Sequence, residues 1–139
     1  MTFELINPDE LGPPRGWTNG MLGPTGGRVL FVAGQDAANP DGEVTTDDFI
    51  EQFDIALGKT MKVVTEAGGD AEAIGRMTLF VTDLDAYRSG RQEIGKVYRS
   101  HMGRHFPAMA LMEVSRLVDP RGLVEIEATA VILDDDPSS

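Results

Sequence analysis

Polar and apolar residues alternate most regularly over Gly122–Leu133, read as G-L-V-E-I-E-A-T-A-V-I-L. Val124, Ile126, Ala128, Ala130 and Ile132 share one side of a strand, and Glu125, Glu127, Thr129 and Val131 share the other. The first set belongs against a core. The second presents two carboxylates and a hydroxyl, with same-face neighbours about 7 Å apart at ~3.3 Å per residue. Glutamates that close repel, so they must be separated, paired or used.

The remaining pattern predicts the other elements. Thr2–Ile6 and Gly20–Leu22 read as short strands. Asn7–Asn19, with three prolines, two glycines and the only Trp, reads as a long ordered loop with no helix. Arg28–Gly34 is a continuous apolar run, which predicts a strand buried on both faces. Thr46-Asp47-Asp48 opens a helix of about twenty residues, with a capping box at Asp48 and Glu51 and a stop at Gly68-Gly69. Its apolar stripe includes Phe49, Phe53, Ala56, Leu57, Thr60 and Val64. Arg76–Thr82 is a strand. Asp83 or Asp85 caps a second helix that runs to about Met102, weakened by Gly90 and Gly95. Ala108–Val114 is a strand, Asp119–Gly122 a turn, and Asp134–Ser139 a frayed acidic tail.

This order predicts one α+β domain over residues 1–139, a six-stranded mixed sheet with two helices on one face. The face with Glu125, Glu127 and Thr129 has no helix left to cover it. Met109 and Leu111 are expected on that same face. A partly apolar, uncovered face predicts self-association.

Composition narrows the function. The chain carries a net charge of −11 and has no basic run, so nucleic acid is not expected as a partner. It has no cysteine, which excludes disulfides, a thiolate nucleophile and Cys-ligated metal. No apolar run is long enough to span a membrane, and the start M-T-F-E-L lacks the features of a signal peptide. The cytoplasm is the expected location. His101 and His105 are four apart, but Gly103 between them is expected to break the helix, and no metal is expected.

Four stretches carry a resemblance together: V-L-F-V-A-G-Q (Val29–Gln35), R-M-T-L-F-V-T-D-L (Arg76–Leu84), F-P-A-M-A-L-M-E-V-S-R-L (Phe106–Leu117) and V-E-I-E-A-T-A-V (Val124–Val131). In that order they resemble the RidA/YjgF family, also called the L-PSP endoribonuclease family. The resemblance implies a chorismate-mutase-like protomer, a barrel-like homotrimer and ligand clefts between subunits. It also implies hydrolysis of reactive enamines and imines without metal or organic cofactor. In family members with that activity, the first Glu of the E-I-E-A motif orients water, which is Glu125 here. Backbone groups at the G-Q turn assist, here Ala33, Gly34 and Gln35. An aromatic residue in the early loop lines the site, and the nearest equivalent is Trp17, with Arg15 close by. The family's carboxylate-binding Arg falls at Met109, its Cys at Leu111, and an Asn of some members near Gly95. Met cannot reproduce the bidentate recognition of a carboxylate by Arg.

The expected site is therefore Glu125 as catalyst, with Trp17, Arg15, Ala33, Gly34, Gln35, Met109, Leu111 and Glu127 around a small metabolite. Arg15, Arg76 and Arg104 are candidates to restore the missing positive charge, and Glu113 is expected to pair with Arg116 or Arg28. Three functions remain open. They are a cofactor-free deaminase-type hydrolase, a non-catalytic metabolite-binding or regulatory protein, and a ribonuclease, the last opposed by the acidic charge balance.

Overall fold

The computed structural model describes residues 3–134. Strands β1 (Glu4–Ile6) and β2 (Gly20–Leu22) pair with each other in a small antiparallel sheet. Strands β3 (Arg28–Gln35), β4 (Ile74–Val81), β5 (Ala108–Glu113) and β6 (Val124–Ile132) form the main sheet, in the order β3-β6-β4-β5. The mixed sheet expected from the sequence is thus divided in two. Strands of three residues pair with each other and do not extend the larger ladder. Phe3 seats this hairpin: its ring is buried, close over Gly75 at the start of β4. The proline-rich loop contains a single 3₁₀ turn, Asp9–Leu11.

Helix α1 (Phe49–Glu66) crosses from β3 to β4, and α2 (Leu84–Ser89) with α3 (Arg91–Met102) crosses from β4 to its parallel neighbour β5. The Asp48 side chain caps α1 by accepting the Glu51 N–H at 3.1 Å, but the Glu51 carboxylate turns to Thr46 Oγ1 at 2.8 Å, so only half the capping box forms. Bonds from Gly68 N–H to Thr65 O and from Gly69 N–H to Val64 O, 2.9 and 3.0 Å, close the helix in a Schellman motif. Asp83 caps α2 through the Ala86 N–H. At Gly90 the backbone leaves helical geometry (φ −98°, ψ 12°), which splits the single second helix of the sequence reading into two.

One layer of helices covers one face of the sheet. Phe53, Leu57 and Val64 of α1 meet Ile74, Met77, Ile126 and their neighbours with almost no solvent contact. Gln52 sits fully buried among them. Its amide donates to Thr46 O and Arg121 O and accepts the Leu123 N–H, tying the turn before β6 to α1. Tyr98 donates to His105 O at 2.6 Å and stacks on Phe106 at 5.3 Å between centroids. Burial pushes its phenol up from the ordinary tyrosine range.

The other face is open. β6 alternates as the sequence predicts, with Glu125, Glu127, Thr129 and Val131 away from the core. Phe31 and Val29 are 79% and 57% exposed on the same side, so β3 is buried on one face and not on both. It is an edge strand, and α1 packs against it from the helix side of the sheet. No helix among the described residues is long and apolar enough to cross a membrane. Residues 1–2 and 135–139 lie outside the described residues, so the start of the first expected strand and all of the tail expected to fray except Asp134 do too. Asp134, at the tail's beginning, pairs with Arg28 at 3.3 Å.

Candidate functional site

Two groups of residues stand out. The first lies on the open face, where β3 meets β6. Val32 pairs with Ala128 and Gln35 with Ile126, so Ala33 and Gly34 together oppose Glu127. This is a β-bulge, a device that bends a strand and re-aims its groups. Glu125 packs against it: a Cβ placed on Gly34 would lie 2.9 Å from the Glu125 Cδ. Glu125 is half-buried and Glu127 exposed. Neither carboxylate joins an ion pair among the described residues. The Gln35 amide turns back to Ala33 O at 3.1 Å.

The second group lines a pocket of about 350 Å³ on the helix side of the sheet. Its floor is apolar, made by Leu79, Met109 and Leu111 of the sheet with Phe53 and Ile94 above them. Arg15 and Trp17 approach from the early loop, and Arg91, Gly95 and Arg99 from α3. The loop reaches the pocket because Thr18 anchors it. The Thr18 hydroxyl donates to Phe106 O at 2.5 Å, and its N–H to Pro107 O at 3.2 Å. Trp17 remains 43% exposed at the mouth.

Met109 and Leu111 are therefore not on the face of Glu125, contrary to the sequence reading. In the parallel ladder they pair with Met77 and Leu79, both buried beneath the helices. Ala108, Ala110 and Met112 take the open face in their place. The expected site residues fall into two sets on opposite faces of one sheet: Arg15, Trp17, Met109 and Leu111 at the pocket, and Ala33, Gly34, Gln35, Glu125 and Glu127 around the bulge.

Several smaller expectations resolve as well. Of the three candidate arginines, Arg15 lines the pocket; Arg76 lies on the open face beside Thr129, and Arg104 lies in the loop after α3. Glu113 does not pair with an arginine but accepts the Leu84 N–H at the start of α2. His101 meets Asp54 at 2.5 Å, and the buried His105 ring bonds Ile74 O at 2.7 Å. The two histidines thus serve different partners. Among the described residues no group of three His, Cys, Asp or Glu is arranged to hold a metal ion. The sequence reading missed Arg91 and Arg99. Their signal was present as R-x-x-x-G-x-x-x-R, one helix face with a glycine between two arginines.

The family model for Endoribonuclease L-PSP matches residues 14–132. A RutC family protein of Pyrococcus abyssi is 32% identical over 106 residues, covering 75% of this chain and 79% of that protein. TdcF of Escherichia coli, described as a candidate reactive intermediate deaminase, is 30% identical over 109 residues, covering 76% of this chain and 80% of that protein. Among solved structures, YyfB of Yersinia pestis, a Rid family protein of unknown function, superimposes with a TM-score of 0.82 at 28% identity. The match covers 95% of this chain and all of that one.

Proposed function

The chain belongs to the Endoribonuclease L-PSP family, the RidA/YjgF proteins, and from that premise we propose that it is a cofactor-free hydrolase of a reactive enamine or imine, acting in clefts between the subunits of a homotrimer. The observation that carries this reading is the packing of Glu125 against Gly34 at the β3 bulge. A carboxylate free of ion pairs there, beside the backbone of the G-Q turn, suits a group that handles water and protons.

The pocket and the Glu125 edge face away from each other within one chain. One small ligand touches both only if a second copy brings its Glu125 edge to the first copy's pocket. The exposed Phe31 and Val29 next to that edge supply the apolar surface for such contact. Hydrolysis then runs as follows. Glu125 takes a proton from water as the oxygen attacks the imine carbon. The same carboxyl hands that proton to the nitrogen, giving a carbinolamine. It then takes the hydroxyl proton and passes it to the departing nitrogen as the C–N bond breaks and the C=O bond forms, leaving a carbonyl compound and ammonia. Trp17 at the pocket mouth shields the reacting carbon from bulk water. The structure of E. coli TdcF with bound serine supports an amino-acid-sized ligand for this fold.

Met109 in the place of the family's Arg favours a second reading, a metabolite-binding protein without turnover. Ammonia release from an imine freshly generated from an amino acid distinguishes the two. Glu125→Gln keeps the shape and removes the base. The expected result is an intact oligomer with turnover lower by about 10²-fold. An unchanged rate would mean that Glu125 is no catalyst.

A further inference from the structure

The pocket beneath α3 carries charge of one sign only. Arg15, Arg91 and Arg99 stand around it and no aspartate or glutamate lines it, in a chain with 23 acidic residues and 12 Lys and Arg. Arg28, Lys59, Lys96 and Arg121 each hold a carboxylate, and the other basic residues outside the pocket are spread singly over the surface and not gathered at one cavity. The three pocket arginines are in no ion pair among the described residues. Guanidinium groups gathered without a counter-charge at the rim of a cavity form a place for an anion. The floor asks for something different. Phe53, Leu79, Ile94, Met109 and Leu111 offer no hydrogen-bonding partner beyond a weak thioether, so a wholly polar ligand would gain nothing there.

The seat of Arg99 is specific. Arg91, Gly95 and Arg99 succeed one another on one face of α3. A Cβ built on Gly95 would lie 3.2 Å from Arg99 Nη1. The guanidinium therefore folds back along the helix over the glycine, toward Arg91, in the direction that helical side chains favour. Glycine weakens a helix interior. Here it makes room for that guanidinium at the pocket wall.

Resting on the deaminase reading, we propose that the substrate is a carboxylate on a bulky apolar body: the body sinks onto Met109 and Leu111, and Arg91 and Arg99 grip the carboxylate at the rim. Recognition of the carboxylate then rests on α3, and selection for size rests on the floor at Met109 and Leu111.

The test uses Trp17, the only Trp and a pocket residue, as a fluorescence reporter of binding. The probe is 3-phenylpropionate, compared with acetate, which lacks the body, and 3-phenylpropan-1-ol, which lacks the charge. Both are expected to bind at least about tenfold more weakly, the scale of one charge-assisted hydrogen bond or of a buried ring. The double variant Arg91→Gln, Arg99→Gln should lose about tenfold or more for phenylpropionate and nothing for the alcohol. Gly95→Ala should weaken phenylpropionate binding while raising the melting temperature, a pairing that a purely structural glycine would not produce. Alcohol binding as tight as the acid, or a double variant that binds phenylpropionate like the parent, would overturn the proposal. Tighter binding of phenyl phosphate would overturn the carboxylate assignment. Imines generated from phenylalanine and from alanine separate this idea from the activity beneath it. Tight binding of phenylpropionate with no ammonia from either imine defeats the deaminase and keeps the pocket's preference. Equal release from both, unaffected by the double variant, keeps the deaminase and defeats the preference.

Discussion

Glu125 lies where it does because residue 34 is glycine: a Cβ there would sit 3.0 Å from the Glu125 Oε2. The φ of Gly34 is not in the left-handed region, so the backbone itself would accept alanine. Gly34→Ala should therefore fold normally and push the carboxylate aside. A displacement of about 1 Å at a catalytic group costs about 10²-fold in turnover. Ammonia release beside a thermal melt checks this. A rate equal to the parent's would separate Glu125 from the chemistry.

Phe31 should be a contact between subunits. Light scattering is expected to give three times the protomer mass of 15.0 kDa. Phe31→Glu places a charge on the open face, where the residue is 79% exposed in the single chain. The chain should still fold, with unchanged circular dichroism, and run as a monomer without hydrolase activity. A parent protein already at the protomer mass would remove the composite site altogether.

Gln52 should matter for stability and not for chemistry. Gln52→Leu keeps the volume and orphans Thr46 O, Arg121 O and the Leu123 N–H. These bonds are part-buried, so water recovers some of the ~1–3 kcal/mol that each buried unpaired group costs, and a total loss of about 1–3 kcal/mol is expected. Denaturant unfolding measures it, and a loss below about 1 kcal/mol would mean that water replaces the amide.

Tyr98 should make the fold alkali-sensitive. Desolvation raises its phenol above the ordinary value of about 10, so the folded chain holds this proton longer than the unfolded chain. The sign follows from linkage. The contribution is fully present below about pH 10 and is lost as pH rises above it, because the unfolded phenol ionises first. Tyrosinate absorbance from Tyr98 should appear only together with unfolding. Tyr98→Phe keeps the stack on Phe106, loses the bond to His105 O and should flatten this part of the pH dependence.

Order and type of the elements were legible in the chain because they rest on local physics. The period-two run of β6, the stripe of α1, the Asp48 and Asp83 caps and the Gly68-Gly69 stop each act within a few residues. The motif glutamate and the G-Q turn were legible too, as a pattern of residues. What tertiary structure alone decided was which face each strand shows. β5 reads A-M-A-L-M-E, apolar at both parities, so alternation could not assign it a face. Met109 and Leu111 share their parity with the charged Glu113, whose carboxylate is used by the Leu84 N–H. Pairing with Met77 and Leu79 settles the matter, and that pairing joins residues some thirty apart. The pocket is longer-range still. Trp17 and Arg15 reach it only because the Thr18 hydroxyl finds Phe106 O, 88 residues away. Side-chain period and capping are local and can be read from sequence; which surfaces meet depends on ladder register and loop anchoring, which exist only once the chain has folded.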